Sequence, residues 1–174
     1  MLLTTERLAL RPLCTDDVQS VYKYSSDFEN TKYMMFLPNE SVAETQSFLQ
    51  SVDVEWNKAK PAFYEFAVLL NNFQIGAVGL YLDKTRSQGS IGWILDRDYH
   101  NKGYATEAAQ AVISFAKHSL RLQKIIAQCD YRNIASQRVM EKLGMTLTDA
   151  NGVRNYVKRN ETARELTYVL VLNN

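Results

Sequence analysis

A glycine turn that joins a strand pattern to a helix pattern constrains the fold of this chain more than any other feature. Residues 90–95 form a short apolar run typical of a strand, and a helical pattern starts after the turn at residues 100–106. The start of a helix leaves backbone N–H groups without intrahelical partners, and the helix dipole adds positive potential there. The turn therefore predicts a site for a phosphate or pyrophosphate.

The turn by itself also fits an ordinary connection between a strand and a helix. The chain lacks the G-x-x-x-x-G-K-[ST] spacing of a P-loop. It also lacks the second and third glycines of the dinucleotide-binding fingerprint. The choice between an anion site and a plain turn depends on the surrounding motifs.

Hydrophobic periodicity divides the rest of the chain into short strands and helices. Helices are predicted behind the caps at residues 15–17, 41 and 133 and behind the turn at 100–106. The predicted strands cover residues 7–13, 63–70, 73–82, 90–95, 124–130, 145–148 and 166–172. No composition shift, repeat or linker interrupts this order, so residues 1–174 are predicted to form one α/β domain, α+β in some schemes.

Charge and hydropathy exclude several classes of partner. Lys and Arg number 20 against 19 Asp and Glu, so the net charge of +1 gives no electrostatic basis for binding nucleic acid or an anionic membrane. The N-terminus lacks the pattern of a signal peptide, and the longest apolar runs are too short to cross a bilayer. We therefore expect a cytoplasmic protein with no nucleic-acid or membrane partner.

Four motifs, in order along the chain, resemble the GCN5-related N-acetyltransferase (GNAT) superfamily, and within it the Rim-type branch that acetylates ribosomal-protein N-termini. They are TERLALRP at 5–12, KGYATEA at 102–108, NIAS at 133–136 and KLGM at 142–145. The resemblance covers almost the whole chain. It implies a central mixed, mostly antiparallel sheet flanked by about four helices, with a splayed pair of parallel strands at an acyl-CoA site.

The resemblance also implies a role for particular residues. Acetyl-CoA, the implied cosubstrate, would lie between the strands at 90–95 and 124–130, with the backbone of Ile94 and Leu95 paired to pantetheine. Asn133 would bind the pantetheine arm, and Lys142 would approach the adenosine phosphate. Ser136 would lie near the sulfur, where its hydroxyl could donate a hydrogen bond or relay a proton to the departing thiolate. The residues whose N–H groups would hold the pyrophosphate are His100, Asn101, Lys102, Gly103, Tyr104, Ala105 and Thr106. Asn133 and Ser136 are thus the catalytic candidates, and no metal is implied.

Simpler interpretations of the same residues stay open. Asn133 is also a helix cap, Ser136 a polar residue in the following turn, and Lys142 a solvated surface residue. Tyr131 is an alternative acid for the thiolate. These alternatives predict the same local structure without a ligand.

The chain departs from the family pattern at three positions. His100 replaces Gln or Arg, and Asn101 replaces a glycine, although neither change removes a backbone donor. Ser90 stands where many relatives carry a glutamate proposed as the general base. Glu65 and Glu165 are the remaining candidates for that base.

The missing carboxylate bears on the acceptor. An α-amine has a pKa of about 7.7–8.0 against about 10.4 for lysine, so a weak base suits an α-amine better. We therefore favour direct acetyl transfer to a primary amine such as a protein N-terminus. A catalytically weak acyl-CoA sensor and an acetyltransferase for a polyamine, amino sugar or antibiotic are the alternatives. Acceptor loops are predicted at 30–39 and 151–161, and a homodimer is compatible with the composition.

Overall fold

The structure, a computed structural model, describes residues 1–172; the last two residues of the predicted domain lie outside the described residues. The strands are β1 (Leu3–Thr4), β2 (Leu8–Pro12), β3 (Phe63–Leu70), β4 (Phe73–Leu82), β5 (Gln88–Leu95), β6 (Lys124–Asp130), β7 (Thr146–Tyr156) and β8 (Glu161–Val171). The α-helices are α1 (Val18–Ser25), α2 (Phe28–Thr31), α3 (Val42–Trp56), α4 (Tyr104–His118) and α5 (Ile134–Lys142). Short 3-10 turns precede α1 and follow β5.

The eight strands form one sheet in the order β1-β2-β3-β4-β5-β6-β8-β7. Every neighbouring pair is antiparallel except β5 and β6, which confirms the predicted mixed, mostly antiparallel sheet. The turn between β3 and β4 uses Asn71 and Asn72, both at positive φ (50° and 68°). Asparagine tolerates this conformation, which is why two asparagines can close a tight hairpin.

The parallel pair separates after three residues. Gln88–Ser90 of β5 pair with Lys124–Ile126 of β6, and no pairing between the two strands follows within the described residues. Beyond that point β5 continues to pair with β4, and β6 continues to pair with β8. The splayed parallel pair predicted from the motifs is therefore confirmed.

Helices cover both faces of the sheet. On one face α4 inserts Val112 and Ala116 against fully buried strand residues such as Phe66 and Ile125. On the other face α3 packs through Leu49 and Val52. These two layers bury apolar side chains on both faces of the sheet.

The five α-helices in residues 1–172 agree with the expectation of about four; the short α2 is capped by the Asp27 side chain, which accepts the N–H groups of Glu29 and Asn30. Two sequence expectations about the boundaries are wrong. The Lys60-Pro61 step in the sequence predicts that the third helix continues to that step, but the helix ends at Trp56. The predicted loop at 151–161 is mostly strand, because β7 pairs with β8 as far as Tyr156 despite two bulges.

None of the helices within residues 1–172 is both long and apolar enough to cross a membrane. The same residues contain no group of three or more His, Cys, Asp or Glu side chains that could hold a metal ion.

Candidate active site

The gap between β5 and β6 leaves one edge of each strand unpaired. Ile94 and Leu95 pair with Ala77 and Gly76 of β4, so their side of β5 that faces β6 is open. A Cβ atom added at Gly92 would meet nothing within 4 Å. An open strand edge beside free space can accept an extended ligand arm as an additional strand. The Leu95 carbonyl itself is 3.0 Å from His100 Nε2, so this backbone acceptor is engaged by the imidazole.

The loop at the end of β5 turns twice through the left-handed region before α4 begins. Asn101 has φ +60° and Gly103, the N-cap of α4, has φ +83° without a side-chain cap. Asparagine populates this region more readily than most residues, so Asn101 can occupy a position where relatives carry glycine. His100 to Gly103 are exposed, and the N–H groups of the first turn of α4 precede the first helical hydrogen bond, from Glu107 to the Gly103 carbonyl. The His100 N–H, in contrast, donates to the Arg97 carbonyl at 3.1 Å.

Lys102 directs its ammonium group away from the start of the helix. Its Nζ donates to the Asp98 carbonyl at 2.8 Å and lies 5.6 Å from the centre of the Tyr99 ring. The loop's capacity to bind an anion therefore depends on backbone N–H groups rather than on this side chain.

A side-chain brace that the sequence patterns did not predict holds the loop against the N-terminal strand. Arg7 donates through Nε to Glu107 at 2.7 Å and through Nη1 to the Lys102 carbonyl at 3.0 Å. Thr5 Oγ1 donates to the other carboxylate oxygen of Glu107 at 2.5 Å. Burial opposes the ionisation of Glu107, but the hydrogen bonds from Thr5 and Arg7 lower its pKa. The 5–12 and 102–108 motifs thus contact each other, a pairing that their separation in sequence concealed.

The structure places Asn133 and Ser136 on the far side of the gap. Asn133 is the N-cap of α5, and its Oδ1 accepts the Ser136 N–H at 3.1 Å, as the capping interpretation predicts. This leaves the Asn133 amide N–H groups available to a ligand. Ser136 is half-buried in the first turn, whereas Lys142 is exposed in the last turn of α5.

Glu65 is a buried carboxylate on the face of the sheet covered by α1 and α3. It is 7% exposed, and its Oε1 accepts a hydrogen bond from the Tyr81 hydroxyl. Burial raises the pKa of Glu65 from 4.5 to about 7, although the Tyr81 hydrogen bond acts in the opposite direction. A carboxylate in this range exchanges its proton near neutral pH.

Two further carboxylates occupy the same face on the other side of the gap. Glu165 forms a buried ion pair with Arg154 at 2.8 Å and accepts from Gln128 Nε2 at 2.8 Å. Asp130 is fully buried and is bound by Arg132, with distances of 2.9 and 2.6 Å, and by the Tyr156 hydroxyl at 2.5 Å. Burial opposes the ionisation of Asp130, but these hydrogen bonds prevail and lower its pKa to about 2.

The two segments predicted to form the acceptor site lie against each other. Arg154 donates to the Tyr33 carbonyl at 3.1 Å, and Arg159 donates to the Lys32 carbonyl at 2.6 Å. Lys158 donates to the Pro38 carbonyl at 2.8 Å and forms an ion pair with Glu44. The β7–β8 hairpin therefore fixes the 30–39 segment through its backbone carbonyls.

Comparison with known proteins agrees with this arrangement. The Acetyltransferase (GNAT) domain family matches residues 7–146. The N-acetyltransferase YnaD of Bacillus subtilis (strain 168) is 37% identical over 147 residues, which cover 83% of this chain and 82% of that protein. The crystal structure of a GNAT-family acetyltransferase from Bacillus anthracis superposes with a TM-score of 0.87 at 29% identity and full coverage of both chains.

A more distant neighbour shares the fold alone. The ribosomal L7/L12 alpha-N-protein acetyltransferase RimL, in complex with coenzyme A, has a TM-score of 0.86 at 16% identity and covers 99% of this chain and 98% of its own. The matched family and the similar N-acetyltransferases show that this chain is an acyltransferase. This chain belongs to the GNAT family and is an N-acetyltransferase.

Proposed function

We propose that this chain transfers an acetyl group from acetyl-CoA directly to a primary amine and that an α-amine at a peptide or protein N-terminus is its preferred acceptor. The observation that carries the proposal is the gap between β5 and β6 with the doubly left-handed loop at its end. An open strand edge and a nearby group of helix-terminal N–H groups suit the pantetheine arm and the pyrophosphate of one ligand.

Each predicted site residue then has a distinct task. The backbone of Ile94 and Leu95 lies along the open edge of β5, and the N–H groups of residues 101–106 lie at the loop, whereas that of His100 donates to the Arg97 carbonyl. Asn133 offers its free amide N–H groups, and Ser136 offers a hydroxyl in the half-buried first turn of α5. Lys142, at the exposed end of α5, would pair with a phosphate of the nucleotide end.

The reaction needs no covalent enzyme intermediate. The amine nitrogen attacks the thioester carbonyl carbon, a C–N bond forms, and the C–S bond breaks. Backbone N–H groups at the open strand edge can stabilise the negative charge that develops on the carbonyl oxygen. The nitrogen loses a proton as the amide forms, and the departing thiolate takes up a proton, which the Ser136 hydroxyl can relay. Binding both substrates together provides most of the remaining acceleration.

The preference for an α-amine follows from the available base. Of the three buried carboxylates Glu65, Asp130 and Glu165, the last two are bound to arginines, whereas Glu65 has no cationic partner within residues 1–172. A base with a pKa of about 7 takes a proton from an α-ammonium with a penalty of about one pKa unit. For a lysine ammonium the penalty is about three units, or about 10³ in the deprotonated population.

A matched pair of glycine variants tests the cosubstrate site. Gly103 and Gly144 both have positive φ (83° and 76°), and both stand next to a helix end. The variants Gly103→Glu and Gly144→Glu therefore introduce the same side chain with similar backbone strain. We expect Gly103→Glu to lower acetyl-CoA affinity at least 100-fold in calorimetry, because a carboxylate would stand in the anion loop. Gly144→Glu should bind within a few-fold of the parent, and equal affinities for the two variants would contradict the site.

An acceptor panel tests the reaction itself. Release of free CoA thiol is measured with a short peptide carrying only an α-amine, an N-blocked lysine peptide, spermidine and glucosamine. The proposal expects the α-amine peptide to give the highest kcat/KM. Tight acetyl-CoA binding without turnover on any amine would instead favour the acyl-CoA sensor. A highest rate with spermidine or glucosamine would assign a small-molecule acceptor.

A further inference from the structure

We propose that Glu65 is the general base of this acetyltransferase and that Tyr81 positions its carboxyl group, so that a glutamate on β3 replaces the carboxylate that is absent at Ser90. This inference rests on the proposed function and adds the residue that accepts the proton of the acceptor amine.

The strand register opens a path from Glu65 to the gap. Glu65 on β3 pairs with Gly79 on β4, and Gly79 pairs with Gly92 on β5. Directly paired residues share a face of the sheet, so two positions without side chains separate Glu65 from the open edge of β5. A Cβ atom added at Gly79 would overlap the Glu65 Oε1 atom, which means that the carboxyl group lies over β4.

The space over Gly92, one strand beyond this buried carboxyl, is open. A Cβ atom added at Gly92 would contact no heavy atom within 4 Å. Neighbouring strands are about 4.8 Å apart, so a carboxyl over β4 is within one hydrogen bond, or one water, of a group over β5. Ser90, on the same face of β5, pairs with Tyr81 and marks the last residue before the gap. Glu65 can therefore serve the region that a carboxylate at position 90 would serve.

The groups that contact the Glu65 carboxyl carry no positive charge, and Arg11 of β2, on the same face of the sheet, is paired with Asp17. From β4, the Tyr81 hydroxyl donates to Oε1. From α1, Tyr24 is buried with a hydroxyl that has no hydrogen-bond partner in residues 1–172, and burial, then the charges of Glu65 and Asp17, raise its pKa. From α3, the Trp56 indole donates to the Glu65 backbone carbonyl at 3.1 Å. Ser90 and Gly92 on β5 are uncharged, so no cation fixes Glu65 as a carboxylate.

The competing carboxylates differ in this respect. Asp130 is bound by Arg132 and Tyr156, and Glu165 by Arg154 and Gln128. An ion-paired carboxylate must lose its partner before it can keep a proton, and breaking a buried pair is costly. Glu65 can gain and lose a proton while it keeps its one hydrogen bond to Tyr81.

The protons balance with Glu65 in this role. An ammonium acceptor gives one proton to the Glu65 carboxylate, and the free amine then attacks the thioester. When the C–N bond has formed and the C–S bond has broken, the second proton of the nitrogen leaves to the thiolate, directly or through Ser136. Glu65 releases its proton to solvent, and the enzyme returns to its starting state.

The test compares the pH dependence of kcat/KM in matched variants. In the parent, the pH profile of kcat/KM should rise in two limbs. One lies near pH 7, where Glu65 loses its proton, and the second lies at the pKa of the acceptor amine. Two amine acceptors of different pKa separate them, because only the second limb moves with the acceptor. Glu65→Gln should lose the limb near pH 7 and about 100-fold in kcat/KM, with unchanged acetyl-CoA affinity. Tyr81→Phe should move that limb upward, since a hydrogen bond that favours the carboxylate is lost.

Two further variants serve as controls. Tyr24→Phe removes a hydroxyl that makes no hydrogen bond within residues 1–172, so it should leave the Glu65 limb in place. Glu165→Gln should also keep that limb. Loss of the limb in Glu165→Gln, with the limb intact in Glu65→Gln, would overturn the proposal.

A measurement without substrate tests the same residue. In the free protein labelled with ¹³C at the glutamate carboxyls, one signal should titrate near pH 7 and disappear in Glu65→Gln, or shift in Glu65→Asp if the glutamine variant does not fold. A Glu65 signal that titrates below pH 5 would contradict the inference. Failure of the parent to acetylate any amine would instead contradict the proposed function, because this titration does not depend on turnover.

Discussion

The two sides of the strand gap treat buried carboxylates in opposite ways. On the β3–β4 side, Glu65 has a tyrosine hydroxyl as its partner and a pKa of about 7. On the β6–β8–β7 side, Asp130 and Glu165 are each bound by an arginine and by a neutral donor. All three carboxylates lie on the same face of one sheet, so their partners rather than their depth decide whether they can exchange protons.

Glu65 can therefore exchange a proton, whereas Asp130 and Glu165 stay charged. On the β6–β8–β7 side the ion pairs stabilise the fold, and Arg154 also donates to the Tyr33 carbonyl and anchors the 30–39 segment. On the β3–β4 side the negative charge of Glu65 lowers the stability of the folded protein at neutral pH. Residues that serve chemistry are often held in a less stable state than their surroundings would allow. Three substitutions test this contrast, from the largest expected change in stability to the smallest.

The largest effect is expected from Arg154→Met, which removes the cation of the fixed side. Glu165 would remain buried without its ion-pair partner, so the free energy of unfolding should fall by about 3–5 kcal/mol. Urea unfolding at pH 7 measures this change. The double variant Arg154→Met/Glu165→Gln is the control and should regain part of the loss. Equal stability of the single variant and the parent would show that the Arg154–Glu165 ion pair does not stabilise the fold.

The second substitution, Glu65→Gln, should increase stability above neutral pH. The folded-state pKa of Glu65 is raised from 4.5 to about 7, so its contribution to stability is fully present below pH 4.5 and is lost as the pH rises through 7. Glutamine carries no such penalty. The variant should match the parent near pH 4.5 and exceed it by up to about 3 kcal/mol at pH 8. Urea unfolding curves of the parent and the variant at pH 4.5 and pH 8 measure this difference. A variant less stable than the parent at pH 8 would contradict the raised pKa of Glu65.

The smallest effect is expected from Tyr156→Phe, which removes one neutral donor from Asp130. The hydrogen bond to a buried carboxylate should contribute about 2 kcal/mol at pH 7. Because the Asp130 pKa is lowered to about 2, its stabilising contribution is present above pH 3.8 and is lost as the pH falls through 2. The parent and the variant should therefore converge in acid. A constant difference down to pH 2 would show that Tyr156 acts by packing instead.

Much of the fold followed from local patterns in the sequence. Asn71-Asn72, the Asn133 cap and Gly144 each solve a backbone problem that few residue types can solve, so their places were predictable. The strand predicted at 145–148 was too short, because residues 149–156, which continue β7, are polar and lack the alternation of a half-buried strand. Their backbone pairing with β8, and the Arg154–Glu165 pair beneath it, became visible only in three dimensions.

In the candidate site, too, some residues could be predicted from local sequence signals and others could not. The loop at 100–106 and the cap at Asn133 carry local signals, and the motifs placed them on either side of one gap. Glu65 gave no such signal, since a lone glutamate in an apolar strand has no motif. The proposed role of Glu65 depends on Gly79 and Gly92, which lie next to it only because of the strand register. Tyr81, which positions it, was found in the same way.

The brace between Arg7 and Glu107 ties the first strands to the candidate cofactor loop. Because Arg7 holds both Glu107 and the Lys102 carbonyl, a ligand that stabilises this loop should also stabilise the N-terminal segment. Amide hydrogen exchange in residues 3–8 should therefore slow when acetyl-CoA is added, although these residues need not touch it. An affinity tag or a cleavage site placed directly before β1 would alter the contacts between the N-terminal segment and this loop. The position of such a tag can therefore change the apparent affinity for acetyl-CoA.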